Sequence, residues 1–346
     1  MMIRGYALIY ALIVALMIAF FSSSLLLLVF LNGKISNLDN QHLYNQQLLD
    51  DGMKLFLEIN QQYTYNNDIG YNLLDDDRSN IIFKKSKWGL YDVLTVKSEK
   101  SSKYYKSAIV EKQPSGLLNA AIYLSDNFKP LVVTGNTKIK GDILIPKNGI
   151  QQGYLDGISY SYKQLFVGKQ SNSTNKLPNI LFERINEMYN QQLQQALKKI
   201  ESDSISNSFL NAPMIYYFEN AVTVQKLTIK NNCILLSNEK IRIKNNTKFE
   251  NVIVIAPSIE VENGTSGSMQ LFATDTLWLG ENVKLNYPSV VCVNGNKQQN
   301  LLHISENVKI YGEVYSICLT QFRNGYNPHL EIEKGAGITG FCYSEV

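Results

Sequence analysis

Apolar and polar positions repeat one short phrase seven times along this chain: apolar, any residue, apolar, two mostly polar residues, then Asn or Gly. The phrase starts at Leu131, Leu227, Ile241, Ile259, Leu277, Leu302 and Leu330. Its second apolar residue is Val133, Ile229, Ile243, Val261, Leu279, Ile304 or Ile332, and it closes on Asn136, Asn232, Asn246, Gly264, Asn282, Asn307 or Gly335. Period-two alternation over three residues is a short strand with one buried side. Asn and Gly enter the left-handed region at least cost, so a fixed Asn/Gly slot after that strand marks a tight corner. A second apolar slot follows at Ile139, Leu235, Phe249, Leu285, Ile310 and Ile338, with Gly267 the exception. Glycines at Gly141, Gly312 and Gly340 suggest a second corner. One coil of this kind cannot bury its own apolar side, so the coils must stack. The pattern predicts a parallel β-helix over residues 131–346.

From Leu227 onward the phrases begin 14, 18, 18, 25 and 28 residues apart. The short spacings suit a narrow triangular coil, and the long ones the same coil with a loop pushed out at Asn294–Gln299 or Gln321–Pro328. Residues 146–224 break the series and read as an insertion. Within it Pro178–Ser202 has helical spacing: Ile180, Leu181, Ile185, Met188, Leu193, Leu197 and Ile200, with Glu183 and Glu187 early and Lys198 and Lys199 late. Such a helix would pack along the solenoid flank, cap its open end, or bind a partner.

The N-terminal pattern is of another kind. Tyr6–Leu31 is 26 residues without a charge. As a helix it would be about 39 Å long, enough to cross a hydrocarbon core of about 30 Å. No small-residue cleavage site closes it, so a retained single span over residues 6–32 is expected. Beyond it Ile35, Leu38, Leu48, Leu49, Met53, Phe56 and Leu57 recur at roughly helical spacing, interrupted by Gly33 and Gly52. Strand-like runs follow at Asn80–Lys84, Trp88–Lys97, Tyr104–Glu111 and Leu118–Ser125.

Composition narrows the chemistry. A net charge of +3, spread along 346 residues, argues against nucleic acid. Cys233, Cys292, Cys318 and Cys342 have no zinc-site spacing; they read as buried small hydrophobes or free thiols, or as one disulfide between Cys318 and Cys342. Asp75-Asp76-Asp77 lacks calcium-loop spacing and reads as a solvated turn. His42, His303 and His329 are scattered, and no phosphate-loop or dinucleotide fingerprint is present. No metal and no cofactor is expected, and no catalytic residue is assigned.

The middle position of each phrase should face outward. Down the coils it reads Val132, Thr228, Arg242, Glu260, Trp278, His303 and Glu331. Arg242 beside Glu260 and His303 beside Glu331 would be opposite-charge neighbours worth about 0.2–1 kcal/mol each. The column reads first as a solvated structural face; Trp278 between Glu260 and His303 as a sugar-binding platform is the alternative.

Two resemblances rest on these residues. The short basic leader ending in Gly5, followed by Tyr-Ala-Leu-Ile-Tyr-Ala-Leu-Ile-Val-Ala-Leu, resembles the start of type IV pilin-like proteins, particularly minor pilins and pseudopilins. In that family a prepilin peptidase cuts after the glycine, which implies Tyr6 as the mature N-terminus; the glutamate common at the fifth mature position is Tyr10 here. The stretches Thr137-Lys-Ile-Lys-Gly-Asp-Ile and Val308-Lys-Ile-Tyr-Gly-Glu-Val resemble bactofilins and small parallel β-helices.

Together these imply a mainly β protein: a leader (1–5), a transmembrane helix (6–32), a pilin-like α+β region (33–130), and a C-terminal solenoid (131–346) with a helical insertion. The expected place is a bacterial inner membrane, with the C-terminal part periplasmic. The expected partners are the bilayer, other envelope or pilin-like subunits, and cell-wall glycan. The expected role is structural and not enzymatic. A tethered polysaccharide or peptidoglycan binder and a self-associating scaffold are the alternatives, with a polysaccharide-cleaving enzyme last.

Overall fold

The computed structural model describes residues 4–74, 76, 79–100, 103–111, 120–155, 157–178, 182–189, 202–295, 300–318 and 329–345. The fold is mainly β, with a β-solenoid of about nine turns and one long apolar N-terminal helix. The chain divides into two compact units: Met1–Ser86 with Leu94–Ala108, and Lys87–Val93 with Ile109–Val346.

In the first unit α1 (Arg4–Ile59) runs unbroken through Gly33 and Gly52. Its large apolar side chains from Leu8 to Leu31 are all exposed, and this is the stretch apolar enough to cross a membrane. Its far end is amphipathic. Leu48, Leu49, Met53 and Phe56, at three- and four-residue steps, are buried, whereas Ile35, Leu38 and Leu57 stay exposed. They meet a four-stranded sheet of order β1 (Asp68–Asn72), β2 (Asn80–Trp88), β3 (Tyr91–Ser98) and β4 (Tyr105–Glu111), with β1 antiparallel to β2. Phe56 stacks on Phe83 with ring centroids 4.4 Å apart. Gly52 has a packing reason: a Cβ there would lie 2.6 Å from Ile81 Cδ1 and 3.1 Å from Val96 Cγ1. Glycine costs a helix about 1 kcal/mol against alanine, and the close approach offsets it. The expected strand Trp88–Lys97 is instead split by a turn at Gly89, which has φ +58°, and β1, whose Asp and Gly hide its alternation, was not expected.

In the second unit a first stack of coils is formed by β5 (Ala120–Tyr123), β6 (Leu131–Val133), β7 (Asp142–Ile145) and β8 (Ile150–Gln152), a small hairpin of β9 (Tyr154–Leu155) and β10 (Ile158–Ser159), and β11 (Gln170–Asn172). β7 pairs in parallel with β5 and β11, and β6 with β8. Val133, Ile139, Ile143 and Ile145 form its core. The coils thus begin by residue 120, earlier than the expected 131, and the described part of the run at Leu118–Ser125, residues 120–125, belongs to them.

After α2 (Phe182–Tyr189) come β12 (Ser204–Ser206), β13 (Met214–Phe218), β14 (Val222–Val224), β15 (Thr228–Ser237), β16 (Lys240–Ile243) and β17 (Lys248–Val261). β18 (Ser266–Leu279), β19 (Lys284–Gly295), β20 (Leu301–Ile304), β21 (Lys309–Cys318), β22 (Leu330–Ile332) and β23 (Gly337–Ser344) complete the second stack. Paired coil strands therefore occupy both ends of the expected insertion at 146–224. Short polar strands such as Gln170–Asn172 and Ser204–Ser206 carry too few apolar residues to reveal the repeat. Of the expected helix Pro178–Ser202, α2 is the described part, with Ile185 and Met188 buried; its remaining apolar positions lie outside the described residues, as do most of the loops Asn294–Gln299 and Gln321–Pro328.

Each coil of the second stack has three faces. The first carries the inward column Val222, Ile241, Ile259, Leu277, Leu302 and Leu330. The second carries Ile205, Ile229, Phe249, Gly267, Leu285, Ile310 and Ile338. The third carries Tyr216, Leu235, Val254, Leu271, Val291, Val314 and Cys342. Leu227 and Thr228 accordingly lie off the first face: the coil start there is Val222, and the anomalous spacing of 14 becomes 19. Leu235 likewise belongs to the third face, while Ile229 takes the second-face slot.

The corners follow the sequence in most coils. Gly264, Asn282, Asn307 and Gly335 have φ between 57° and 74°; at the first phrase Gly135 takes this conformation in place of Asn136, and Asn232, with φ 45°, lies instead at the bulge between the second and third faces. Lys226, with φ 53°, turns the preceding coil and donates its N–H to the Asn246 side chain, which does not itself take a positive φ. At the second corner Gly141, Gly312 and Gly340 have φ from 122° to 148°, and a Cβ on Gly340 would lie 2.0 Å from the Gly312 carbonyl oxygen.

The third face is apolar on its outer side too. Ile253, Phe272, Val290, Cys292 and Tyr315 form one core with Trp88, Leu90, Tyr91, Val93, Ile185 and Met188. The Gln270 side chain satisfies the turn it covers, accepting from Leu90 N–H (2.9 Å) and donating to the Trp88 carbonyl (3.0 Å). Arg184 of α2 makes a buried ion pair with Asp92 (2.7 Å) and donates through Nε to the Gly89 carbonyl. Glu313 lies in the same layer, accepts from the Tyr315 hydroxyl at 2.6 Å, and is pushed up to about 7 by burial, which outweighs that hydrogen bond.

Candidate functional site

Strand alternation puts the residue between two inward positions outside, and parallel pairing stacks like positions about 4.8 Å apart. On the first face this gathers all five predicted ladder residues. Arg242 pairs in register with Glu260, Glu260 with Trp278, Trp278 with His303, and His303 with Glu331. Thr223, and not Thr228, precedes Arg242 in the column. Val132 pairs with Gln151 in the first stack and is not part of it.

At one end of the ladder Glu260 accepts from Arg242 (2.9 Å) and from Lys240. Burial opposes its ionisation, but the two cations outweigh that and hold its carboxyl below the usual range. One row aside, Lys244 Nζ and Asn245 N–H hold the Glu262 carboxyl low in the same way, at 2.7 and 2.9 Å.

At the other end His303 is buried. Its Nδ1 lies 2.8 Å from Glu331 Oε2 and its Nε2 lies 3.2 Å from Glu333 Oε1. The Trp278 indole covers it, with ring centroids 3.7 Å apart and planes 16° from parallel. Trp278 itself remains 47% exposed, which leaves a large aromatic surface open to solvent in the middle of a charged column. Beside it a cavity of about 370 Å³ is lined by Lys240, Ser258, Glu260, Thr276, Trp278 and Leu301. Ser258 and Thr276 share a hydrogen bond of 2.8 Å.

Lys240, Ser258, Thr276 and Leu301 form the neighbouring outward column, which the sequence reading missed. The signal was available: each immediately precedes an inward residue of the phrase, so alternation alone would have turned it outward. Glu333 was missed because it follows the last inward residue of its first-face strand.

The remaining candidates stay apart. Gly5 and Tyr6 fall in the first turn of α1. His42 contacts Gln46 and Tyr104, and His329 bonds to the Asn300 carbonyl. Of the triple aspartate, Asp75 and Asp77 lie outside the described residues; the Asp76 carbonyl accepts from Ser79. Cys233, Cys292 and Cys342 are free thiols, so the Cys318–Cys342 disulfide alternative is not formed. Burial pushes the Cys233 thiol up to about 11, which makes it inert. Among the described residues no three His, Cys, Asp or Glu side chains converge on a metal position. The arrangement offers binding chemistry: an aromatic wall, carboxylate acceptors and cationic donors. Comparisons with protein-family models, curated proteins and solved structures return no match.

Proposed function

We propose that this chain is a single-pass structural component of a bacterial envelope apparatus, of minor-pilin or pseudopilin type, with its solenoid on the periplasmic side of the inner membrane. The observation that carries this is the division of labour along α1. Its first half exposes uncharged and mostly apolar surface from Leu8 to Leu31, and its second half buries Leu48, Leu49, Met53 and Phe56 on a small sheet. Surface of that kind needs lipid or other helices around it. Assembly would then proceed by packing of the N-terminal helices, while the solenoid makes lateral or tip contacts. No catalytic step and no cofactor is part of this reading.

The test is intact mass and N-terminal sequencing of the protein isolated from its native membrane, with protease accessibility in spheroplasts. A mature chain starting at Tyr6, and a solenoid cut from outside, support the proposal. A chain that keeps Gly5 sinks the pilin-type assignment.

The exposed Trp278 favours a second reading, that the first face holds polysaccharide or peptidoglycan while the helix tethers the protein. Retention of the full-length protein on purified peptidoglycan sacculi, cellulose or chitin tests it.

A further inference from the structure

Trp278 is covered on one side by His303, the next coil toward the C-terminus. Its other neighbour in the column is Glu260, and the cavity beside it opens between the two. The site therefore has one flat apolar wall. Around the rim stand the Glu260 carboxylate, the Lys240 ammonium and the Ser258 and Thr276 hydroxyls. An apolar face bounded by hydrogen-bonding groups matches a pyranose ring, whose C–H face is apolar and whose hydroxyls radiate from its edge. Hydroxyls donating to a carboxylate make the stronger, charge-assisted bonds. A volume of about 370 Å³ lies near the small end of ligand cavities.

Charge selects among sugars. Lys240 and Arg242 are already paired with Glu260, and His303 lies between Glu331 and Glu333. A uronate would meet carboxylates whose cations are committed.

We propose that the cavity between Trp278 and Glu260 is a saccharide site that takes one neutral pyranose ring flat on the indole, with Glu260 accepting its hydroxyls. This rests on the reading of the first face as a glycan-binding surface.

The protein carries its own reporter. It has two tryptophans; Trp88 is buried and Trp278 is exposed, so an aqueous quencher reads Trp278. Full-length protein in an amine-oxide detergent, which has no sugar headgroup, is titrated with cellohexaose, chitohexaose and hexagalacturonate. Tryptophan emission and acrylamide quenching are followed, and retention on insoluble cellulose, chitin and peptidoglycan is measured in parallel. A neutral hexasaccharide should shield Trp278 from acrylamide. Trp278→Ala should weaken binding about tenfold or more, Trp278→Phe less, and Glu260→Gln should also weaken it. Hexagalacturonate should bind at least about tenfold more weakly. Retention undiminished in both Trp278→Ala and Glu260→Gln would overturn this site while leaving a glycan-binding protein. A preference for hexagalacturonate would overturn the neutral-ring assignment. No retention and no titration with any glycan would overturn the site together with the reading beneath it.

Discussion

Replacing Gly312 by alanine tests the stacking of the coils directly. At Gly312 φ is +148°, and an added Cβ would lie 1.9 Å from the Ser289 carbonyl oxygen and 2.9 Å from its carbon. Both are backbone atoms of the adjacent coil, paired in register with Gly312, so no rotamer change relieves the contact. The conformation alone costs a side-chain-bearing residue about 1–3 kcal/mol. Parting the two strands also stretches one or two ladder hydrogen bonds, at about 1 kcal/mol each. The expected cost is about 2–5 kcal/mol. Gly264→Ala is the matched control: φ is +72°, but nothing lies within 4 Å of its Cβ, so only about 1–2 kcal/mol of left-handed strain applies. Coils contact only their neighbours, so the damage should be local. Native-state hydrogen exchange of the full-length protein, read on peptides covering Lys309–Cys318 and Gly337–Ser344, is the assay. Gly312→Ala should speed exchange there about a hundredfold, since about 1.4 kcal/mol is tenfold, and Gly264→Ala should speed its own coil by about tenfold. Equal acceleration in the two variants would refute the claim that backbone contact between coils dictates the glycine.

Glu313 should give stability a pH slope. Its carboxyl is raised from 4.5 to about 7 in the folded protein, so the stabilisation is complete below about 4.5 and lost as pH rises through about 7. Denaturant unfolding should lose about 3 kcal/mol across that window; Glu313→Gln should flatten the slope, and an unchanged slope would assign it to another group. Arg184→Ala removes the guanidinium that is buried against Asp92 and should cost about 3–5 kcal/mol, with Asp92→Asn/Arg184→Met recovering much of it. Failure of the double variant to recover would mean that the arginine's bond to the Gly89 carbonyl dominates. Gln270→Ala strips both Leu90 N–H and the Trp88 carbonyl of a partner and should cost about 2–4 kcal/mol; a cost under about 0.5 kcal/mol in thermal unfolding would show water replacing the amide.

The parallel stack was legible because its signal is short and periodic: Ile241, Ile259 and Leu277 stand 18 residues apart and stack directly. The outward column from Arg242 to Glu331 followed from alternation alone. Register failed where two strands of one coil have the same pattern. Leu227-Thr-Ile229 and Val222-Thr-Val224 both read apolar-polar-apolar, and only pairing with Lys248–Glu250 and Ile241–Ile243 tells them apart. The buried layer over the third face was missed although the runs Val252–Ala256 and Met269–Ala273 are almost continuously apolar, as strands covered on both sides are. What covers them, residues 87–93 and α2, comes from far away in sequence and could not be paired with them by any local pattern.

The unbroken course of α1 has a mechanical consequence. At 56 residues it is a rod of about 84 Å, and one wall of the sheet's core is the rod itself. Nothing between Leu31 and Leu48 works as a swivel; Gly33, with open space around it, is the softest point in that stretch. The bearing of the exposed apolar half is therefore tied to that of the sheet, and each residue inserted into or deleted from α1 between them would turn one against the other by about 100°. Whatever grips residues 8–31 also sets the compass bearing of everything the first unit presents.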